Sequence, residues 1–530
     1  MPTDIPRMGV PDRLAARLSI AEQHALLVSR RTLLTGAARV AASMVIGGPA
    51  AAFWLQLDTL PGRMVVPFGR HLAWGANPRT TVSVGWQVPH RVKRPFLRVG
   101  ASPDALGPRI DAEIRPLRTD LGGIRPATEQ YYVHATAGGL RPGTTYYYAV
   151  GHAGYDPTDL TDYGRVDTFT TAPSRRGVAR PFTFTAFGDQ GVSSHALAND
   201  GMLIAQRPAF HLHAGDLCYA DTSGKGRMTD FYDPRSWDQF LAQNEPVAAA
   251  VPWMACLGNH DMEALYSPDG YDGQRARWDF PGNGPALAAG VYSFLYGNVG
   301  VIALDANDVC HELDGNRGYT GGAQTAWLDR RLGHLREQPD VDFLVVFFHH
   351  CAYSTSTAHA SDGGVRRHWV PLFDKHEVDL VINGHNHVYE RTDALRLGVP
   401  RKAEIGETVH PGRDGTIYVT AGGGGRSLYS FGAPDSHAGR RHPVDEIESY
   451  VWADSSPEQV PEQIPERVTW SRVRYTGYSF LAVDVEPARE GHTSTLTLRA
   501  VTEDGAEIDR VVIARKAAGG SRARLNDQSA

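Results

Sequence analysis

From residue 181 onward, apolar residues gather in short runs that stop abruptly at chemically active side chains. Residues 182–187 end at Gly-Asp-Gln-Gly, 210–214 at Gly-Asp-Leu-Cys-Tyr, and 251–257 at Gly-Asn-His-Asp. Residues 343–348 end at His349-His350, and 378–383 at Gly-His-Asn-His-Val-Tyr-Glu-Arg. Runs this short and this continuously apolar predict buried strands. Between them lie helical patterns such as 324–335, which places Trp327, Leu328, Leu332 and Leu335 on one face. Further strands are predicted over 299–304, 416–420, 480–485 and 493–500. This alternation predicts an α/β domain over 181–510, in which the carboxyl ends of the strands converge on one crevice.

The pattern before it is different. Residues 81–88 and 96–99 alternate apolar and polar with period two, and a Pro142-Gly143 turn feeds an aromatic strand ending at Val150. Residues 64–172 are therefore predicted to be all-β. Leu140, Pro142, Thr144 and Tyr146 are similar to the tyrosine-corner region of fibronectin type III domains, which implies a sandwich whose tyrosine hydroxyl satisfies a backbone group. Residues 172–181 read as a linker, 435–465 as an irregular insertion, and 516–530 as a disordered tail.

Ser29-Arg30-Arg31 precedes a mildly apolar stretch rich in Ala and Gly that runs to Phe53. Residues 1–52 resemble a twin-arginine export signal cleaved near Ala52, which implies the twin-arginine machinery as a partner. The expected location is extracellular, periplasmic or associated with the cell wall. Membrane attachment is expected only if the signal stays uncleaved.

The net charge of −6 over 530 residues gives no reason to expect nucleic acid or an anionic membrane as partner. Phosphate recognition must then be local. Cys218, Cys256, Cys310 and Cys351 lack Cys-x-x-Cys spacing, which argues against a zinc ribbon and leaves one or two disulfides open, Cys218 with Cys256 among them.

A two-ion phosphoester site needs hard oxygen donors, imidazole, one shared ligand and an open position. Asp189 and Asp216 each follow a strand and a glycine, Asn259 offers an amide oxygen, and His349, His385 and His387 end two other strands. In extended backbone His385 and His387 would project to one side. His211 and His213 share one strand, so at most one is expected to face the site, in support of a ligand. His350 is expected to point away from it. Glu390 and Arg391 are expected to orient the histidine loop. Residues 422–425 are four glycines without the Lys-Ser/Thr of a phosphate-binding loop, which predicts a tight turn.

In order, these five blocks resemble the signature blocks of the purple acid phosphatases, within the calcineurin-like metallophosphoesterases. The resemblance spans roughly residues 64–510, because plant-type members also carry a fibronectin-like domain before the catalytic one. It implies a four-layer αββα fold for the second domain. It also implies a binuclear centre with Asp189, Tyr219 and His387 on one ion, Asn259, His349 and His385 on the other, and Asp216 bridging. Tyr219, as a phenolate, implies Fe(III) paired with divalent Fe, Zn or Mn. His260 and His359 would be the catalytic groups facing a small phosphoester. Asp261 stands where glutamate is common, and His350-Cys351 where Ser-Pro is frequent.

The function implied is that of an exported acid phosphatase, in which an activated hydroxide attacks a phosphomonoester in line. A phosphodiesterase and a surface binding module with a structural metal site are the alternatives.

Overall fold

The computed structural model describes residues 65–517, apart from 121–126, 160–163, 175–179, 227–231, 443, 455–459 and 490. The signal assigned to 1–52, half of the linker and the tail beyond 517 lie outside the described residues.

Two four-stranded antiparallel sheets form the first domain. One runs Phe68–Trp74, Val82–Val88, Thr128–Ala137, Glu113–Thr119, and the other Ala105–Asp111, Phe96–Ser102, Thr145–Gly151, Asp167–Thr170. Leu72, Trp74, Val84, Trp86, Leu97, Val133, Val150 and Phe169 fill the space between them. The expected corner is present, with the Tyr146 hydroxyl accepting the Arg141 N–H at 2.9 Å.

The second domain stacks two seven-stranded sheets. The first is ordered Trp253–Cys256, His211–Ala214, Phe182–Phe187, Ser479–Glu486, Thr493–Thr502, Glu507–Lys516, Thr408–Val409. The second is ordered Tyr292–Tyr296, Val299–Ala303, Phe343–Phe347, Leu380–Asn383, Ile417–Ala421, Tyr389–Thr392, Ser471–Tyr475. Strand periodicity divides their side chains between two faces. Phe184, Leu212, Met254, Val345 and Ile382 pack between the sheets. Leu344, Val346 and Val381 pack outward on Leu328, Leu332 and Leu335 of helix Ala323–Glu337. Phe187, Trp253 and Ala255 face Trp237, Phe240 and Leu241 of helix Ser236–Ala248 on the opposite side. The result is the four-layer αββα arrangement.

Helix Ser236–Ala248 also seats the first domain. Asp238 accepts from Gln87 at 2.5 Å and Gln130 at 2.8 Å, and Glu245 pairs with Arg70 at 2.5 Å. Deeper in this junction Arg277 pairs with Glu263 at 2.7 Å and donates to the Tyr132 hydroxyl at 3.2 Å.

Three expectations are corrected. Within 435–465, Ile447–Asp454 pairs antiparallel with Pro461–Val468, forming a hairpin edged by Ser361–Asp362. Both hairpin strands are largely solvated, so no apolar face marks them, and Pro461 and Pro465 sit on an edge strand, where no ladder donor is required. The catalytic domain runs past 510, because the strand Glu507–Lys516 continues its first sheet. All four cysteines are free and buried, so Cys218 and Cys256 form no disulfide.

Candidate metal centre

The strand ends deliver the candidate ligands through unusual backbone. Asp189, Asp216, Tyr219 and His385 have φ of 60°, 51°, 58° and 67°, a left-handed region that residues other than glycine seldom occupy. Such strain clusters at functional sites because surrounding contacts hold it in place. His385 therefore does not share a side with His387 through an extended strand. The strand stops at Asn383, and a turn brings both rings inward. Close approach requires glycine beside them: a Cβ on Gly258 would lie 2.1 Å from Asp216 Oδ1, and one on Gly215 2.7 Å from His349 Nδ1.

Donor atoms meet in two groups. The Tyr219 hydroxyl lies 3.1 Å from Asp189 Oδ1 and 2.9 Å from His387 Nε2, and the last two are 3.4 Å apart. His349 Nε2 lies 3.1 Å from Asn259 Oδ1, 3.2 Å from His385 Nδ1 and 3.2 Å from Asp216 Oδ2. Two ligands at roughly 2.1 Å from one ion and at right angles to each other are about 3 Å apart, so each group has the spacing of a coordination shell. Asp189, Asp216 and His349 also form one compact cluster across both groups. Asp189 Oδ2 is buried without a hydrogen-bond partner, as suits an atom reserved for a cation.

Backbone contacts aim these atoms. His349 Nδ1 lies 2.9 Å from the Ala214 carbonyl and His387 Nδ1 2.6 Å from that of Ser427, which places a proton on each Nδ1 and turns each Nε2 toward the site. His385 is turned the other way, with Nε2 2.9 Å from Glu312 Oε2 and Nδ1 facing the site. Asn259 donates Nδ2–H to Gly224 O at 3.0 Å, which points its oxygen inward. Burial lowers the His349 pKa, but the Asp216 carboxylate, by charge and by hydrogen bond, outweighs it and pushes the value up to about 9. Burial, then the Asp189 and Asp216 carboxylates, hold the Tyr219 phenol well above its ordinary value. A strong cationic charge is needed to ionise it.

The two departures from the plant pattern lie beneath the site. Asp261 accepts the backbone N–H groups of Asp216 at 2.9 Å, Gly258 at 2.8 Å and Leu217 at 3.1 Å, clamping two strand ends together. The Cys351 thiol donates to Gly384 O at 3.0 Å, beside the histidine loop.

Comparison with known proteins agrees with this arrangement. Residues 67–171 match the model of the purple acid phosphatase N-terminal domain, and residues 183–389 that of the calcineurin-like phosphoesterases. An uncharacterised protein of Mycobacterium tuberculosis (strain ATCC 25618 / H37Rv) is 33% identical over 531 residues, covering 89% of this chain and 92% of that one. Purple acid phosphatase 18 of Arabidopsis thaliana is 29% identical over 247 residues, 46% of this chain and 50% of that protein. The chain belongs to the purple acid phosphatase family. Purple acid phosphatase PPD1 from yellow lupin (Lupinus luteus) seeds shares the fold, with a TM-score of 0.63 at 21% identity over 86% of this chain and 75% of that one.

In this purple acid phosphatase family member the rim of the site holds two groups expected from sequence. His260 donates its backbone N–H to Asp216 Oδ1 at 2.8 Å, turns Nδ1 to the Asp221 carbonyl at 2.7 Å, and keeps Nε2 3.9 Å from Asp216 Oδ2. The His359 ring lies 4.2 Å from that of His385, with Nδ1 2.5 Å from Glu312 Oε1. Glu312 was not expected. It lies eight residues beyond the apolar run 299–304, in a polar loop rather than at the strand end, so nothing in the pattern marks it. Tyr429 is likewise new: its ring stacks on His387 at 4.1 Å.

Four supporting roles change. His350 lies against the site after all, 4.3 Å ring to ring from His385, because the strand ends at Phe347 and no alternation continues. His211 and His213, two residues apart, share the helix-facing side of the first sheet and pack on Phe187 and Trp253, so neither faces the site. Glu390 accepts from Ser354 Oγ at 2.8 Å, Thr355 N at 2.7 Å and Ser471 Oγ at 2.6 Å, fixing the loop that leads to His359. Arg391 pairs with Asp509 and also donates to Ala403 O, so it anchors the neighbouring sheet. The histidine loop is held by Asn386, which donates to Ala360 O at 2.9 Å.

The glycine run behaves as expected and does more. A Cβ on Gly422 would lie 2.1 Å from Asn386 O and one on Gly424 2.2 Å from Gly188 O, so this turn is pressed against two ligand-bearing segments.

Proposed function

We propose that this metallophosphoesterase is an exported acid phosphatase acting on phosphomonoesters, with Fe(III) and a divalent Fe, Zn or Mn as its ions. The observation that carries the reading is the pairing of two donor groups through Asp216, with His260 and His359 at the open side. The Tyr219 hydroxyl within the first group supports iron there, since a phenolate is a hard, strongly donating ligand.

Bound cations supply Lewis acidity, neutralising charge on the phosphoryl group and acidifying a water. The remaining work falls to side chains. His260, whose Nδ1–H is committed to the Asp221 carbonyl, carries its second proton on Nε2 when charged and can pass it to the departing alkoxide. Glu312 holds one edge of the His359 ring, and Nε2 on the other edge, 3.4 Å from the Tyr429 hydroxyl, would meet the phosphoryl oxygens. Asp261 keeps the Asp216 segment from shifting as charge develops above it.

Turnover of an aryl monophosphate and a bis-aryl phosphate by the metal-loaded protein tests this reading. Preferential monoester hydrolysis at acidic pH that disappears in Asp216→Ala is expected. A diester preference would move the protein to the phosphodiesterases, and no turnover of either would favour the binding module. Export is tested separately, by replacing Arg30 and Arg31 with lysine and following a secreted reporter.

A further inference from the structure

Arg426 follows the glycine run directly and stands over the metal centre without an acidic partner. Its guanidinium carbon lies 4.5 Å from the centre of the Tyr219 ring, and its backbone N–H donates to Asp189 O at 3.0 Å. Other arginines of this domain are differently placed: Arg391 is paired with Asp509, Arg472 with Asp393 and Glu404, and Arg277 with Glu263. Among the described residues the Arg426 guanidinium makes no hydrogen bond and no ion pair, and the residue is only half-buried. Its loop is nevertheless fixed. Ser427 O lies against His387 Nδ1 at 2.6 Å, and Tyr429 donates its N–H to His387 O at 3.0 Å.

A fixed loop thus holds a guanidinium, with its N–H donors uncommitted, beside the first donor group, where an anion entering the site would meet it. Guanidinium presents paired N–H donors in a planar fork that matches two phosphoryl oxygens, a geometry lysine lacks. We propose that Arg426 is the phosphate-binding residue that makes this site selective for phosphomonoesters over diesters. The inference rests on the phosphomonoesterase reading above. A monoester offers three unesterified oxygens, so after the ions take their share an oxygen remains to accept from the guanidinium, and a second, metal-bound oxygen can share the fork. A diester offers two oxygens and one charge, and its second ester group occupies the space Arg426 would need.

The test compares wild type, Arg426→Ala and Arg426→Lys, each metal-loaded, with metal content and thermal melting measured alongside. Three quantities are read: kcat/KM for an aryl monophosphate, kcat/KM for a bis-aryl phosphate, and inhibition by inorganic phosphate. In Arg426→Ala the monoester-to-diester ratio is expected to fall by at least about tenfold and the phosphate inhibition constant to rise by about tenfold, as for loss of a hydrogen bond to a charged group. Arg426→Lys should recover part of the phosphate inhibition, because it restores charge without the fork. Equal losses for both substrates, or an unchanged phosphate constant, would overturn the proposal. If wild type hydrolyses only diesters, the phosphatase reading fails, and phosphate inhibition alone then decides whether Arg426 grips the anion. If Arg426→Ala loses its ions, Arg426→Lys decides: an unchanged ratio and an unchanged lysine melting curve would refute the fork.

Discussion

Glu312 and His385 meet at 2.9 Å, carboxylate oxygen to Nε2, and the second oxygen of the same carboxylate reaches His359 Nδ1. One acidic side chain thus holds a metal-ligand candidate and a substrate-facing candidate in a common frame. Partners of this kind orient a ligating imidazole and raise its basicity. Replacing Glu312 by Ala should weaken retention of the ion at His349 and His385 by about 10–100-fold. Glu312→Gln, which keeps an acceptor, should lose less. Metal stoichiometry under chelator competition measures both.

Metal loading should release protons. With Asp216 pushing His349 up to about 9 from an ordinary 6.5, the metal-free protein keeps that imidazole charged at neutral pH, and ligation requires it neutral. The ion pair stabilises the metal-free fold fully below pH 6.5, and that contribution is lost as pH rises through about 9. The melting temperature of the metal-free protein should therefore decline over that window while the loaded protein lacks this decline. Melting curves across the pH range check it, together with proton uptake or release on adding Zn to the metal-free form.

Gly258→Ala should abolish metal binding while the domain still folds. Its Cβ would stand 2.1 Å from Asp216 Oδ1 and 2.5 Å from the Asp216 backbone N, so the segment must shift and the carboxylate leave its place between the two donor groups. A destabilisation of about 1–3 kcal/mol is expected from the overpacking. Denaturant titration and metal analysis of the same sample separate the two effects.

Tyr219→Phe should remove any ferric charge-transfer band and leave divalent binding at Asn259, His349 and His385 in place. The reason is local: the Tyr219 hydroxyl touches Asp189 and His387, whereas none of the second group touches it. Visible spectroscopy paired with metal analysis reads the outcome. A band surviving in the variant would place the phenolate elsewhere.

Arg277→Met should cost about 3–5 kcal/mol, because it strands a buried carboxylate. Glu263 and Arg277 are both wholly buried, and the same guanidinium contacts Tyr132 of the first domain at 3.2 Å. Unfolding monitored by circular dichroism should show loss of stability in both domains together.

The order of strands and of the donor residues at their ends was legible because burial and chemistry both leave local marks. A run such as 343–348 is apolar throughout since the sheet is covered on both faces, and the histidine that ends it stands out against that background. Tyr146 was legible for a similar reason, as its corner needs Leu140, Pro142 and Thr144 at short spacing. The hairpin Ile447–Asp454 with Pro461–Val468 was not, because two solvated faces carry no periodic signal. His350 and the His211–His213 pair were misplaced for a geometric reason: which side a residue takes depends on where the strand stops and which face the helices cover.

The sequence by itself determined the two-domain order, the strand ends that carry Asp189, Asp216, Asn259, His349, His385 and His387, and the residue types for a two-ion site. These follow from contacts close along the chain, where burial, a glycine and a ligand sit side by side. Tertiary structure alone decided that Glu312 joins His359 to His385, that Asp261 clamps the Asp216 segment, and that Arg426 lies over Tyr219. These pairs are 47, 73, 45 and 207 residues apart. Their meeting depends on how two sheets stack and where their loops cross, and no short-range pattern records that.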